Sequence, residues 1–273
     1  MNKLAIVIPI HKLSLIKTEE KSLRCILQKN NVENIFLVLP EKLKVETQFN
    51  NINKIFFNDD YFISQKSYNK LLLSKKFFNT FDSFDHILIY QLDSYLIKKT
   101  EDLDEFLNED FIGSPHINIK KKRFTGILNG GFSIRSTKSS IEVLNSNKFY
   151  LTFKSLIPVL RYFSGLNRIQ NFMKFFFSIY YIYINEKIFK KKKVYFSQIL
   201  INYFSDFYNE DIFWSLFSKF LNPTFKVAKF NKAIKFGFDK DPAELFNLSY
   251  NQLPLGCHNW WDRKNINFWR NYF

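Results

Sequence analysis

Four apolar runs, KLAIVIP (Lys3–Pro9), NIFLVLP (Asn34–Pro40), KIFF (Lys54–Phe57) and HILIYQL (His86–Leu92), punctuate the first third of the chain and constrain its fold more than any other feature. The first three read as strands, the second ending in a proline breaker, and the fourth, continuously apolar, reads as a buried strand. Between them, Thr18–Lys29 is a helix candidate, and SYNKLLLSKKFF (Ser67–Phe78) has helical periodicity with Ser67 as its predicted N-cap. Strands alternating with helices predict a mostly parallel sheet covered by helices on both faces. Ligands of such sheets bind outside the carboxyl ends of the strands.

Asp93 falls at such an end, directly after the fourth run. A buried carboxylate is costly without a cation or several hydrogen-bond donors, so Asp93 either caps the following turn or ligates a metal. Four later stretches stand out: DFIGSP (Asp110–Pro115), NGGFSIRS (Asn129–Ser136), NEDIFWS (Asn209–Ser215) and LPLGCHNWW (Leu253–Trp261). The two glycines of the second suit a turn with positive φ, or a backbone that lets a bound ligand approach closely. In the third, Glu210 and Asp211 open a helix whose apolar face is Ile212, Phe213, Leu216 and Phe217. The helix dipole favours acids there by only about 0.3–1 kcal/mol. His258, flanked by aromatics, is either a hydrogen-bonded structural residue or a ligand.

Composition narrows the class. With 273 residues the chain can bury a large core, and 46% hydrophobic with 24% charged residues is ordinary for a folded protein. The abundance of Phe, at 34 copies, beside only 7 Gly is partly discounted as codon bias. A net charge of +15 permits a polyanionic partner: nucleic acid, an anionic membrane face or a phosphorylated substrate. No nucleic-acid-binding motif accompanies the charge, so nucleic acid is not the expected partner. Two cysteines far apart in sequence, Cys25 and Cys257, are too few for a secreted disulfide framework, and the first apolar run is too short for a signal peptide. A cytoplasmic location is expected. FMKFFFSIYYIYI (Phe172–Ile184) is too short to span a bilayer, but with KIFKKKK (Lys187–Lys193) after it, it suits either a packed helical insert or peripheral attachment to an anionic membrane. A second basic run, Lys120–Arg123, precedes the glycine pair.

In order along the chain, VIPIHK, YQLD, IG-P, NGGFS, EDIFW and P-GCH-W resemble a little-characterised family of GT-A fold glycosyltransferases, with a gap over about 150–207. The resemblance implies a single α/β catalytic domain, 1–273, with a GT-A (Rossmann-like) mostly parallel sheet and a helical, aromatic and Lys-rich insert at 150–207. It implies transfer of a sugar, of hexosyltransferase type, from a nucleotide diphosphate sugar to a saccharide or glycolipid acceptor, inverting and assisted by Mn²⁺ or Mg²⁺. Polysaccharide biosynthesis at the inner face of a membrane is the expected setting.

The residues the resemblance implicates follow its motifs. Donor binding falls to Pro9, Ile10, His11, Gln91 and Asp93, and metal binding to Asp93 and His258; Tyr68 and Asn69, in SYN at a helix start, are a further donor-side candidate or simply part of a capped helix end. The usual Asp-x-Asp is here Gln91-Leu92-Asp93, so the first carboxylate is a neutral amide. Asn129, Gly130, Gly131 and Phe132, with Trp260, are the expected sugar-binding wall: the Gly130 and Gly131 amides donate to hydroxyls and an aromatic ring stacks on a sugar face. Asp211 is the expected catalytic base and Glu210 the second choice. Two other classes are a non-catalytic sugar-binding scaffold of the same fold, favoured by Gln91, and a basic nucleic-acid-binding protein.

Overall fold

The computed structural model describes residues 3–43, 49–121, 123–162, 195–205 and 208–273, and positions 170, 173, 174, 176, 177, 180, 181, 184, 185 and 188. The four apolar runs form β1 (Leu4–Pro9), β2 (Ile35–Pro40), β3 (Asn53–Phe57) and β4 (His86–Tyr90). After β5 (Tyr95–Leu96), which belongs elsewhere, β6 (Phe111–Asn118) and β7 (Arg123–Ser136) complete a six-stranded sheet of order β3-β2-β1-β4-β7-β6. β1 pairs in parallel with β2 and β4, and β2 with β3. Only β7 runs against its neighbours, antiparallel to β4 and β6. The expected α/β architecture, a mainly parallel sheet flanked by helices in the manner of a GT-A (Rossmann-like) fold, is therefore the observed one.

Burial on both faces explains the apolar runs of β1 and β4: all five residues of β4 are buried, as are Ala5, Ile6, Val7 and Ile8 of β1, whereas β3, at the edge of the sheet, leaves Asn53 and Phe56 exposed and buries Phe57. The covering elements include α1 (Lys17–Lys29), α2 (Gln65–Leu72), α3 (Lys75–Asn79), α4 (Thr137–Leu144), α5 (Phe153–Tyr162) and α6 (Phe196–Ser205). The expected single helix over Ser67–Phe78 is two. Ser64, not Ser67, caps α2, its hydroxyl accepting from the Ser67 amide while the Ser67 hydroxyl accepts from the Ser64 amide. Ser74 restarts the chain as the cap of α3. A cap must precede the free amides it satisfies, and Ser67 lies one turn inside.

The rest of the chain builds what stands beside the sheet edge. A helical run opens with α7 (Glu210–Ile212), passes through a π-helical turn (Phe213–Phe217) and ends in α8 (Ser218–Leu221). Then come α9 (Phe230–Phe236), β8 (Gly237–Phe238), α10 (Pro242–Leu248), β9 (Gly256–Cys257) and α11 (Ile266–Trp269). β5, β9 and β8 form a second, three-stranded sheet in that order, β5 antiparallel to β9 and β9 parallel to β8. With those directions, the start of β5 and the ends of β8 and β9 share one edge. Asp93, Asp239 and His258 are the side chains found there.

Of the expected insert, α5 and α6 are described. Phe172–Ile184 and Lys187–Lys193 lie largely outside the described residues, although Phe177, Tyr180 and Tyr181 are seen to be exposed. Among the described residues no helix is long and apolar enough to cross a membrane. Cys25 of α1 and Cys257 of β9, remote in sequence, are free and buried against β5, their thiols directed at the carbonyls of Leu96 and Tyr95.

Candidate functional site

A cavity of about 580 Å³ opens at the carboxyl edge of the large sheet, within the ~300–1,000 Å³ common for small-molecule sites. Most of the residues expected there from sequence line it. Pro9, Ile10 and His11 follow β1, Tyr68 and Asn69 come from α2, and Gln91 and Asp93 follow β4. Asn129, Gly130 and Gly131 belong to β7, Glu210 and Asp211 open α7, and His258 follows β9. Asn69 also ties α2 to the acidic motif, its Nδ2 donating to Asn209 Oδ1 at 3.3 Å.

Two expected wall residues are not on the wall. The Phe132 ring is fully buried, stacked on Phe236 at 4.8 Å and edge-on to Tyr90. Successive strand side chains point to opposite faces, so a strand that turns Gly131 toward the cavity turns Phe132 away. Trp260 packs against Tyr95 and Phe273, and its neighbour Trp261 lines the cavity instead.

The glycine pair has a different cause from a positive-φ turn. Among the described residues Gly126 is the one glycine with positive φ, and both Gly130 and Gly131 lie within β7. A Cβ on Gly130 would fall 2.1 Å from Glu210 Oε1, and one on Gly131 would fall 2.1 Å from His258 Nε2 and 2.6 Å from Gln91 Oε1. The missing side chains leave room for the polar groups of the site. Nor is the Gly131 amide free for a sugar hydroxyl, because it donates to Asn129 Oδ1 at 2.8 Å.

His258 is the centre of the polar cluster. Its Nε2 lies 3.1 Å from Asp93 Oδ1 and 3.1 Å from Gln91 Oε1, and its Nδ1 lies 3.0 Å from Asp239 Oδ1. Burial alone would push the imidazole down, but Asp93 and Asp239 outweigh it and raise its pKa to about 10. Asp239, fully buried and absent from the sequence-based expectations, also meets His116 Nε2 at 3.2 Å. Burial would raise its pKa, yet the hydrogen bonds from His116 and His258 hold it well below the usual carboxylate range.

The two acids of α7 differ. Glu210 Oε1 is paired with Arg135 Nη2 at 2.8 Å, and both side chains are buried. Burial raises the Glu210 pKa against the pull of Arg135, and its Oε2 is buried with no hydrogen-bond partner among the described residues. Asp211 has no ion pair among the described residues. Its Oδ1 accepts from the Ile212 amide at 2.7 Å, and burial raises its pKa with His116 opposing. The π-helical turn that follows anchors Ser215 to β7, where its hydroxyl accepts from the Leu128 amide at 3.0 Å. Such turns are frequent beside functional residues.

Sheet and cavity together define a Rossmann-like α/β protein with a polar, acid-lined site at its carboxyl edge. The chain belongs to the family described as a protein of unknown function (DUF5672), whose model matches residues 51–258. No curated protein matches it in sequence. Among solved structures it resembles GlyE, a glycosyltransferase of Streptococcus pneumoniae TIGR4, at 12% identity over 99% of this chain and 60% of that one, with a TM-score of 0.43. It also resembles WbbM, a bifunctional glycosyltransferase, at 9% identity over 94% and 45% of the two chains, with a TM-score of 0.44. A mannosyltransferase from Pyrobaculum calidifontis in complex with GDP-Man and Mn²⁺ matches at 7% identity over 50% and 45%, with a TM-score of 0.33. The chain thus spans between 45% and 60% of the length of these three proteins.

Proposed function

We propose that the protein is a glycosyltransferase that takes a sugar from a nucleotide diphosphate donor and passes it to a saccharide or lipid-linked saccharide. The observation that carries the reading is the convergence of Gln91, Asp93 and His258 at the end of β4, in the same cavity as the carboxylate of Asp211, which is buried and has no ion pair among the described residues.

The residues fit a hard divalent ion such as Mn²⁺ or Mg²⁺. Adjacent ligands of an octahedral ion with bonds of about 2.1 Å stand about 3 Å apart, close to the 3.1 Å from His258 Nε2 to each of Asp93 Oδ1 and Gln91 Oε1. Among the described residues no three His, Cys, Asp or Glu side chains form a ligand cluster. The third donor would be the Gln91 amide oxygen, with donor phosphates and water completing the shell. An ion held there by Asp93, His258 and Gln91 would supply charge neutralisation for the leaving diphosphate.

The remaining roles belong to the chain. Pro9, Ile10, His11, Tyr68 and Asn69 hold the nucleotide end of the donor, and Trp261 takes the place expected of Trp260. As the acceptor oxygen bonds to the anomeric carbon, the bond from that carbon to the diphosphate breaks and the hydroxyl proton passes to Asp211. A raised pKa makes Asp211 a stronger base, and positioned base catalysis is worth ~10²–10⁴ in rate. Glu210, held by Arg135, offers its Oε2, which has no partner among the described residues, to a substrate hydroxyl rather than acting as the base. Exposed Phe177, Tyr180 and Tyr181, with the lysines of 187–193 following in sequence, support peripheral contact with an anionic membrane where a lipid-linked acceptor would reside.

Calorimetric titration of UDP, GDP and CMP, with Mn²⁺ and with chelator, tests the reading. The expected result is Mn²⁺-dependent binding of one nucleotide that is lost in Asp93→Asn with the fold retained. No binding of any nucleotide under either condition overturns it. Binding without turnover of the matching nucleotide sugar would favour the second reading, a sugar-binding scaffold, which the amide at Gln91 supports.

A further inference from the structure

We propose that Asp239 is the positioning residue of this site: one buried carboxylate that aims His258 at Gln91 and Asp93 and clamps the glycine wall against it. The inference rests on the glycosyltransferase reading for the purpose of the site, but not for its geometry.

Asp239 immediately follows β8 and is fully buried. Both its oxygens are doubly engaged. Oδ1 lies 3.0 Å from His258 Nδ1 and 2.9 Å from Asn259 Nδ2, and Oδ2 lies 3.2 Å from His116 Nε2 and 3.3 Å from Asn129 Nδ2. Its backbone carbonyl accepts from Asn265 Nδ2 at 3.0 Å. Apolar contacts could hold these segments together without the cost of burying a charge. What a carboxylate adds is direction, since an ionised carboxylate only accepts and every group facing it must donate.

Two consequences follow from that direction. The proton facing Asp239 must sit on His258 Nδ1, and by the same rule Nε2 donates to Asp93 in the metal-free protein, so a metal at Nε2 would take the place of that second proton. A carboxylate at Nδ1 is the outer-shell arrangement that orients metal-ligating histidines. Likewise Asn129 must present its amide Nδ2 to Asp239, which turns its Oδ1 to the amides of Gly131 at 2.8 Å and Phe132 at 3.4 Å. The strand wall is thereby pinned where a Cβ on Gly131 would meet His258 Nε2. His116, on β6, supplies the fourth side-chain donor and ties the cluster to the far edge of the large sheet.

Two measurements decide the matter. The first is the affinity of the full-length protein for Mn²⁺ alone, by electron paramagnetic resonance, in wild type and Asp239→Asn. The expected change is a 10–100-fold weakening, the usual effect of removing an outer-shell partner. The second is nuclear magnetic resonance of the histidine ring nitrogens in the wild type, where a protected His258 Nδ1–H bonded to carboxylate is expected with and without Mg²⁺. This arm does not depend on the variant folding. Absence of that proton, or an Asp239→Asn protein that keeps it and binds Mn²⁺ as the wild type does, overturns the proposal. A wild type that binds no Mn²⁺ would remove the metal from the proposed function, while the Nδ1–H signal would still decide whether Asp239 holds His258.

Discussion

Asp211 and Gly131 show at the residue scale how little slack the site has. The Asp211 pKa is raised by burial, so the charged form is disfavoured in the fold: the penalty is absent below the ordinary aspartate pKa of about 3.9 and fully present above the raised one. Asp211→Asn should therefore unfold no earlier than wild type at neutral pH, by differential scanning calorimetry, while transfer falls by ~10²–10⁴. A variant that transfers normally would remove Asp211 as the base. Gly131→Ala would place a methyl 2.1 Å from His258 Nε2, a ring that Asp239 prevents from yielding. We expect this variant to remain folded by circular dichroism and to lose Mn²⁺ binding. Retained affinity would mean that Nε2 does not face the metal. The two glycines of NGG were expected to admit a sugar, but the groups that crowd them are the side chains of Glu210, Gln91 and His258.

Elements carry these side chains to one point. The three strands of the small sheet have two residues each, yet their shared edge gathers Asp93, Asp239 and His258. Across the cavity, Arg135 near the end of β7 holds the start of α7 through Glu210 and lies 5.5 Å from the Phe111 ring centroid. Removing the cation leaves a buried, uncompensated carboxylate, which typically costs about 3–5 kcal/mol. Arg135→Leu should lower stability by that amount in urea unfolding, and Arg135→Leu combined with Glu210→Leu should recover much of it. If the single substitution costs under about 1 kcal/mol, the pair is not the strut described here. Strand-like runs of four to seven residues were legible, whereas two-residue strands carry no periodicity to read. The helix over 67–78 was seen as one for a related reason: periodicity continues through a cap, and only the hydrogen bonds of Ser64 and Ser74 divide it.

At the scale of the whole molecule, the net charge of +15 is not used up by the acid-lined cavity. Each lysine near an anionic bilayer contributes roughly 1 kcal/mol, screened by salt over about 10 Å at 0.1 M. We expect co-sedimentation with vesicles containing phosphatidylserine, none with phosphatidylcholine alone, and loss of binding in high salt. Equal binding to both vesicles would deny the charge a role. What the sequence by itself determined was the alternation of buried strands with helices, hence the class of sheet, and the placing of Asp93 at its carboxyl edge. Both are local: burial on two faces writes an unbroken apolar run, and the residue after such a run stands at the edge. The tertiary structure alone decided that Asp239, Arg135, His116 and Trp261 belong to the site and that Phe132 and Trp260 belong to the core. A pattern of burial records that a side chain is covered, but the identity of the group covering it depends on segments far away in the chain, brought together only when the two sheets meet.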